Sequence, residues 1–472
     1  MEKLKNVLIY VLLTVFGLAL ARHFVEMPVI AIAFTTLIVF IAYKCDIPKF
    51  GFWLFLFSFI IRIIVVVLFD TPITDDYAVQ FKAAKEIISG NFNIASTIAS
   101  GYMLRWGYQM GYTLFMVLLM FINESAVFIK GVNCLFTSFV VLFVYLISSE
   151  LTNKKTARII SVLYALFPFP LFFNTIVSNQ HISSFLFLLA IYILISKKTE
   201  SMNYKLKYFL IGLCLALGNI IRPEAIIFMF SILAFLLLTM KKNSLKQIMK
   251  AGLILIVTYL SITISASTIV AKTGISPSGF ENKVPLWKIA VGFNQLHKGD
   301  YSRSLAATFP TDKNAQLQIV YDYTIGSIEK IPALFMYKEQ HFWLDNELNW
   351  SLNYLKDKSI YLFGIRIPFN YIRSVLDSIN QLYLYIFFAL GLMAIIINRK
   401  KMDDRQYLLL IVILTYSLVY LLIECTPRYA YTAQIFLVLM SSYSVKYILD
   451  YFQKKKSKKK KTKKVKISNK SK

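Results

Sequence analysis

Apolar runs long enough to cross a bilayer recur from one end of this chain to the other, and they leave few folds open. A hydrocarbon core about 30 Å thick calls for roughly 20 apolar residues per helix, with about 17–25 tolerated. Segments meeting or approaching that length lie at 7–22, 28–43, 50–69, 127–149, 157–176, 182–196, 206–221, 224–240, 251–270, 378–397, 406–424 and 431–449. Unpaired backbone groups are costly in hydrocarbon, and the runs lack the alternation of a membrane barrel, so each is expected as a helix. The chain reads as an all-α polytopic membrane protein with about 12 transmembrane helices.

A net charge of +27 could suggest a nucleic-acid partner. Twelve of those charges are the lysines between Lys454 and Lys472, however, and most of the others lie in short loops between apolar runs. Membrane topology accounts for both, because loops on the cytoplasmic side collect Lys and Arg and a polybasic tail is drawn to anionic lipid. No nucleic-acid partner is expected. Cys45, Cys134, Cys214 and Cys425 are scattered in or beside different spans, which argues against a disulfide framework or a clustered metal site. The first apolar run has a basic flank but no small-residue cleavage site, and Arg22 and His23 follow it, so it is expected to stay as a helix.

The basic loops set an orientation. Lys3 and Lys5, Lys44 and Lys49, Lys154 and Lys155, Lys197 to Lys207, Lys241 and Lys242, Arg399 to Lys401 and the tail all belong inside by the positive-inside rule. Met110 to Ile122 is apolar but too short to cross, and leaving it on the outer surface keeps every basic loop on the same side. The expected topology has both termini in the cytoplasm, at the plasma membrane. Outward-facing regions then span 70–125, 179–181 and 271–377. The chain divides into added N-terminal helices (1–49), a transmembrane core (50–270) with a first outer loop (70–126), a large outer loop (271–377), C-terminal helices (378–450) and the polylysine tail (451–472). The large loop is mixed in composition, with aromatic amphipathic stretches such as Phe335 to Trp350, and reads as a cap lying on the membrane surface.

Chemistry is expected where helices leave the bilayer. Pro72-Ile73-Thr74-Asp75-Asp76-Tyr77 follows the span at 50–69, and Tyr77, Phe81, Ala84 and Ile88 then fall on one face of an interfacial helix ended by Gly90-Asn91. Thr74 or Asp75 can cap that helix, and acids in its first turn complement its dipole. A carboxylate there, among Tyr77, Tyr102, Trp106 and Tyr108, can also act as a general base toward an acceptor hydroxyl. Arg105, Arg222 and Arg428 occupy outer helix ends, where Arg should be scarce, and guanidinium groups bind phosphate in bidentate fashion. Snorkelling to lipid head groups would place single arginines there as well. His181, in the polar turn Ser178-Asn179-Gln180-His181, is either a site residue or a solvated loop histidine. Arg62 and Lys130 sit within apolar runs, where interior ion pairing or snorkelling is the ordinary explanation. There is no Walker loop, Rossmann glycine pattern or HExxH.

These motifs, in this order, resemble the GT-C-fold membrane glycosyltransferases, in particular the family of protein O-mannosyltransferases and lipid A aminoarabinose transferases. The resemblance spans roughly residues 50–450. Its carriers are Pro72 to Tyr77, Trp106-Gly107-Tyr108-Gln109, the Phe-Pro turn with Ser178 to His181, Asn219 to Pro223, and Pro427-Arg428-Tyr429. It implies transfer of one sugar from a polyprenyl-phosphate donor to an envelope glycan, glycolipid or protein on the extracytoplasmic face. Asp75 would be the base and Asp76 its orienting partner. Arg428, then Arg222 and Arg105, would hold the lipid phosphate, and Tyr77, Trp106, Tyr108, His181 and Tyr429 would line the substrate site. Many relatives carry a second acid where this chain has Asn179-Gln180-His181, which bears on acceptor positioning and on metal use. No metal ligand set is assigned, although a carboxylate-bound divalent cation is compatible with the pattern. A multi-pass transporter or flippase is the alternative, but matched Gly/Pro-broken helices in two halves are not evident. A glycan polymerase or ligase, or a non-catalytic scaffold for envelope assembly, would share many of these features.

Overall fold

The computed structural model describes residues 29–92, 100–239, 245–345, 347–355, 357–362 and 365–468. The expected span at 7–22 lies outside them. Helix α1 (Val29–Lys44) is followed by α2 (Phe50–Leu68), then by the short helices α3 (Asp75–Ile88), α4 (Ser100–Arg105) and α5 (Met110–Met120). Helix α6 (Ala126–Leu151) runs antiparallel to α2 and packs on it, α7 (Lys154–Ala165) and α9 (Gln180–Ile195). Between α7 and α8 (Pro168–Phe172) the chain bends by 56° at Phe167-Pro168-Phe169-Pro170, where two prolines lack the N–H that a continuous helix needs. Helices α10 (Tyr204–Ile221), α11 (Ala225–Leu238) and α12 (Leu245–Lys272) complete the first part of the bundle.

Among the described residues, seven helical segments are individually long and apolar enough to cross a membrane: α2, α6, α10, α12, α18 (Phe369–Asn398), α19 (Asp404–Leu422) and Pro427–Lys455. The last lies largely within α20 (Tyr431–Ser468). The bent pair Lys154–Ala165 and Pro168–Thr175 makes an eighth if it acts as one span, and Ala31–Lys44, Gln180–Ile195 and Ala225–Leu238 are shorter apolar helices at the other expected positions. Helix α5 has 11 residues, so it extends only about 16 Å and falls well short of a bilayer core.

The 271–377 segment folds over one end of the bundle, the cap end. It contains α13 (Trp287–Phe293), α14 (Arg303–Thr308), α15 (Lys313–Thr324), α16 (Ile331–Leu344), α17 (Leu348–Leu352) and the antiparallel hairpin β1 (Ser359–Leu362) and β2 (Ile365–Pro368). Helix α16 fastens the cap to the spans. Its buried Trp343 donates its indole N–H to Ser417 Oγ (3.0 Å), more than a turn inside α19, and packs edge-on against Phe388 of α18.

Two buried cations of the bundle, Lys130 and Arg62, have local partners. Lys130 Nζ lies 2.6 Å from Asp70 Oδ1 and 2.6 Å from the Thr71 carbonyl, so it pins the end of α2 to the start of α6. Arg62 Nη1 donates to Ser58 Oγ at 2.6 Å, one turn back on its own helix. Helix α3 differs from expectation in its buried face, which is Tyr77, Gln80, Ala83, Ala84 and Ile87, with Phe81 and Ile88 half-buried. Gln80 takes that place where its amide nitrogen donates to Gln109 Oε1 at 3.1 Å, which satisfies a donor that would otherwise be costly to bury. Thr74 is the N-cap, but its side chain makes no capping hydrogen bond.

Candidate active site

A cavity of about 580 Å³ opens at the cap end between α3, α4, the cap-end turns of α11 and α19, and the cap. Asp76, Tyr77, Arg105, Trp106, Tyr108, Arg222, Arg428 and Tyr429 all line it, so residues from four separated parts of the sequence converge. Asp75 and His181 are not among its lining residues.

The difference between Asp75 and Asp76 begins in the backbone. Asp75 takes φ +53°, a left-handed conformation, where the chain turns into α3, and its side chain is exposed. Asp76, the next residue, is half-buried on the cavity wall. Burial, and then the Asp76 carboxylate, hold the Tyr102 phenol well above its usual value, so it stays protonated beside that acid. Gln109 donates to Tyr102 Oη at 3.3 Å and accepts from Gln80, which links the base of α3 to the Trp106-Gly107-Tyr108-Gln109 turn.

Three cations surround the ring of Tyr429. The guanidinium of Arg222 is 5.2 Å from its centroid, that of Arg428 is 5.6 Å away, and Lys288 Nζ is 5.3 Å away. They are not equivalent. Arg222 is committed to Glu224 in an ion pair and donates to Asn179 Oδ1 at 3.3 Å. Glu224 in turn accepts from Tyr416 and Tyr420 at 3.1 and 3.3 Å, so this pair is fully built into the bundle. Arg105 is also engaged, since its Nη2 donates to the Phe309 carbonyl at 2.9 Å and holds the cap over α4. Arg428 Cζ lies over Trp350, 4.3 Å from a ring centroid, and Trp350 stacks on Tyr77. Among the described residues, neither the Arg428 guanidinium nor the Lys288 ammonium donates to a protein acceptor. These two groups are the cations left available to an anionic ligand.

Glu424 is the second acid on the cavity wall. Burial raises the pKa of its carboxyl, with the Lys288 and Arg428 charges opposing that shift, and burial likewise lowers Lys288 against the pull of Glu424. Desolvation dominates both, which marks a pair of charges held in a low-dielectric wall. Sequence reasoning passed over Lys288, Glu224 and Glu424. Glu224 and Glu424 had a usable signal, an acid immediately beyond an apolar run, whereas Lys288 is one lysine in a mixed loop.

His181 is neither a lining residue nor a solvated one. It is fully buried, with Nδ1 3.1 Å from Tyr431 Oη and 3.3 Å from Thr137 Oγ1, and Nε2 3.2 Å from the Phe173 carbonyl. Gln180 donates to the Arg428 carbonyl at 2.5 Å, and Ser184 shares a 2.8 Å hydrogen bond with Thr432. The first turns of α9 therefore hold the Pro427–Ala430 turn that presents Arg428. Among the described residues, no group of three or more His, Cys, Asp or Glu side chains is arranged to hold a metal ion.

Residues 103–265 match the family described as dolichyl-phosphate-mannose-protein mannosyltransferase. No curated protein matches the chain. Among solved structures it is similar to the oligosaccharyltransferase of Archaeoglobus fulgidus in the apo form, at 11% identity and a TM-score of 0.50, over 87% of this chain and 52% of that one. The same archaeal enzyme tethered to an acceptor peptide gives 13% identity and a TM-score of 0.49, over 85% and 50% of the two chains. AglB from that organism, in complex with an inhibitory peptide and a dolichol-phosphate, gives 11% and 0.46, over 86% and 51%. The chain spans about half the length of the solved structures it matches, and only the apo comparison bears on the fold. The all-helical membrane bundle is thus similar in fold to that archaeal enzyme, and residues 103–265 are similar to the dolichyl-phosphate-mannose-protein mannosyltransferases.

Proposed function

We propose that the chain transfers a sugar from a polyprenyl-phosphate-linked donor to a hydroxyl on an envelope glycan, glycolipid or protein, with the cap end facing outward. The observation that carries this reading is the pairing, in one cavity, of Asp76 with two uncommitted cations, Arg428 and Lys288. Apolar side chains at the cap-end turns of two membrane helices, Ile226, Ile227, Val419 and Ile423, line the same cavity and suit the first isoprenes of a lipid carrier.

The roles follow from the geometry. Arg428 and Lys288 hold the phosphate, each kept in place by an aromatic face that leaves its N–H donors free. Asp76 accepts the proton of the acceptor hydroxyl, whose oxygen attacks the anomeric carbon. The bond from that carbon to the phosphate oxygen breaks, and the departing polyprenyl phosphate keeps the electron pair beside the two cations. Asp76, not Asp75, is assigned as the base because it faces the cavity. Arg222 and Glu224 form the fixed floor beneath.

Sugar transfer by the purified protein in nanodiscs, with a panel of polyprenyl-phosphate sugars and envelope acceptors, tests this reading. Turnover in the wild type that is lost in Asp76→Asn and Arg428→Ala supports it. Turnover with none of the donors, in folded protein, sinks it.

A further inference from the structure

Lys338, in the middle of α16, is 1% exposed and lies outside the cavity lining. Its ammonium donates to three main-chain carbonyls, Gly292 at 2.9 Å, Leu421 at 2.7 Å and Ile423 at 2.8 Å. Burial lowers its pKa to about 8, so at neutral pH it keeps three protons for those three acceptors. Among the described residues, no carboxylate forms an ion pair with Lys338, and Glu339 Oε2 accepts instead from Trp343 Nε1 (3.1 Å) and Ser417 Oγ (3.3 Å).

The three carbonyls belong to two elements that must meet for the site to exist. Leu421 and Ile423 are the last turn of α19 and its C-cap, where carbonyls lack helical partners and a cation is favoured. Gly292 lies in the last turn of α13, the helix that carries Lys288. The junction is tight enough that a Cβ on Gly292 would lie 2.5 Å from the Ile423 carbonyl carbon. Beside it the Glu424 N–H donates to the Lys288 carbonyl at 2.7 Å, and the Cys425 N–H donates to the Gly299 carbonyl at 2.9 Å. Lys288 from the cap and Glu424 from the membrane helix thus reach the cavity through a seam that Lys338 closes.

We propose that Lys338 is a positioning residue: by joining the end of α13 to the end of α19 it sets where Lys288 and Glu424 stand on the cavity wall. The seam itself is read from the hydrogen bonds alone, while its effect on turnover rests on the function proposed above.

The test uses the full chain in nanodiscs, as wild type, Lys338→Met and Lys338→Gln, with hydrogen exchange read on peptides covering 287–299 and 421–428. Lys338→Met keeps the aliphatic stem and removes the donors; Lys338→Gln keeps an amide NH₂. The expected result is exchange at least tenfold faster in both peptides for Lys338→Met, a smaller increase for Lys338→Gln, and no change in α5 or α10. Donor KM should rise by about tenfold or more in Lys338→Met, in line with loss of charge-assisted hydrogen bonds. Unchanged exchange at the seam in a folded variant, or a uniform rise over the whole chain, would overturn the proposal. If Lys338→Met cannot be purified folded, the same two criteria apply to Lys338→Gln. An inactive wild type with a seam that loosens in the variants would reject the transferase reading and leave the seam standing.

Discussion

Lys288 Nζ stands 5.3 Å from the ring centroid of Tyr429, although the two residues lie on different elements, one in the cap and the other in the turn before α20. The same ring is flanked by Arg222 and Arg428. An aromatic face can hold several cations without consuming their hydrogen-bond donors, and this arrangement keeps Arg428 and Lys288 available while Arg222 is tied to Glu224.

Removing either available cation should therefore cost more than mutual repulsion would suggest. Arg428→Ala is expected to lower sugar transfer by about 10²–10³-fold, the range for loss of one group that stabilises developing charge. Lys288→Met should follow with about 10–10²-fold. Steady-state assays on reconstituted protein check both, and full activity in Arg428→Ala would move the phosphate elsewhere.

The two adjacent acids should separate cleanly. Asp76→Asn is expected to reduce turnover by about 10²–10⁴-fold, as loss of a general base does. Asp75→Asn, on the exposed side of the turn, should change it by less than about tenfold. The reverse order in single-turnover measurements would return the base to Asp75.

Gly111 permits the close approach of α5 to α10. A Cβ there would meet the Ile220 carbonyl oxygen at 1.7 Å, which is backbone and cannot rotate away. Gly111→Ala should destabilise the protein by about 1–3 kcal/mol, the usual cost of overpacking. Thermal unfolding in detergent measures this, and an unshifted midpoint would mean that the helices part freely.

His341 supplies a pH dependence within the cap. Burial alone would lower its pKa, but its contacts with Asp300 and Asp345 outweigh that and raise it to about 9. A folded value above the unfolded one means that its contribution is fully present below about 6.5 and is lost as pH rises through about 9. The stability difference between wild type and His341→Gln should be largest at pH 6 and shrink by pH 10. A difference that grows with pH would contradict the assigned pairing.

Some of this protein was legible in one dimension. Hydrophobic length is a local property, so the positions of the apolar helices, the short α5 and the Pro168–Pro170 bend could be read directly from residue order. Arg105, Arg222 and Arg428 also stood out locally, as cations at ends of apolar runs, and they share one cavity.

Other features depended on which way a helix turns and what it meets. The left-handed turn at Asp75 into α3, together with the packing of that helix, leaves Asp76 on the cavity wall and Asp75 exposed. The same packing buries Gln80, because Gln109 is there to receive it. His181 looked like a loop histidine until Tyr431, 250 positions later in the chain, closed over it. Lys288 and Glu424 carry no mark in sequence that joins them, since their meeting is made by backbone hydrogen bonds and by Lys338 across the seam. The sequence by itself determined which of the described helices are apolar enough to lie in a membrane, because burial in lipid depends on composition over about 20 residues. Only the tertiary structure decided which charges face one another, because that depends on contacts between distant segments.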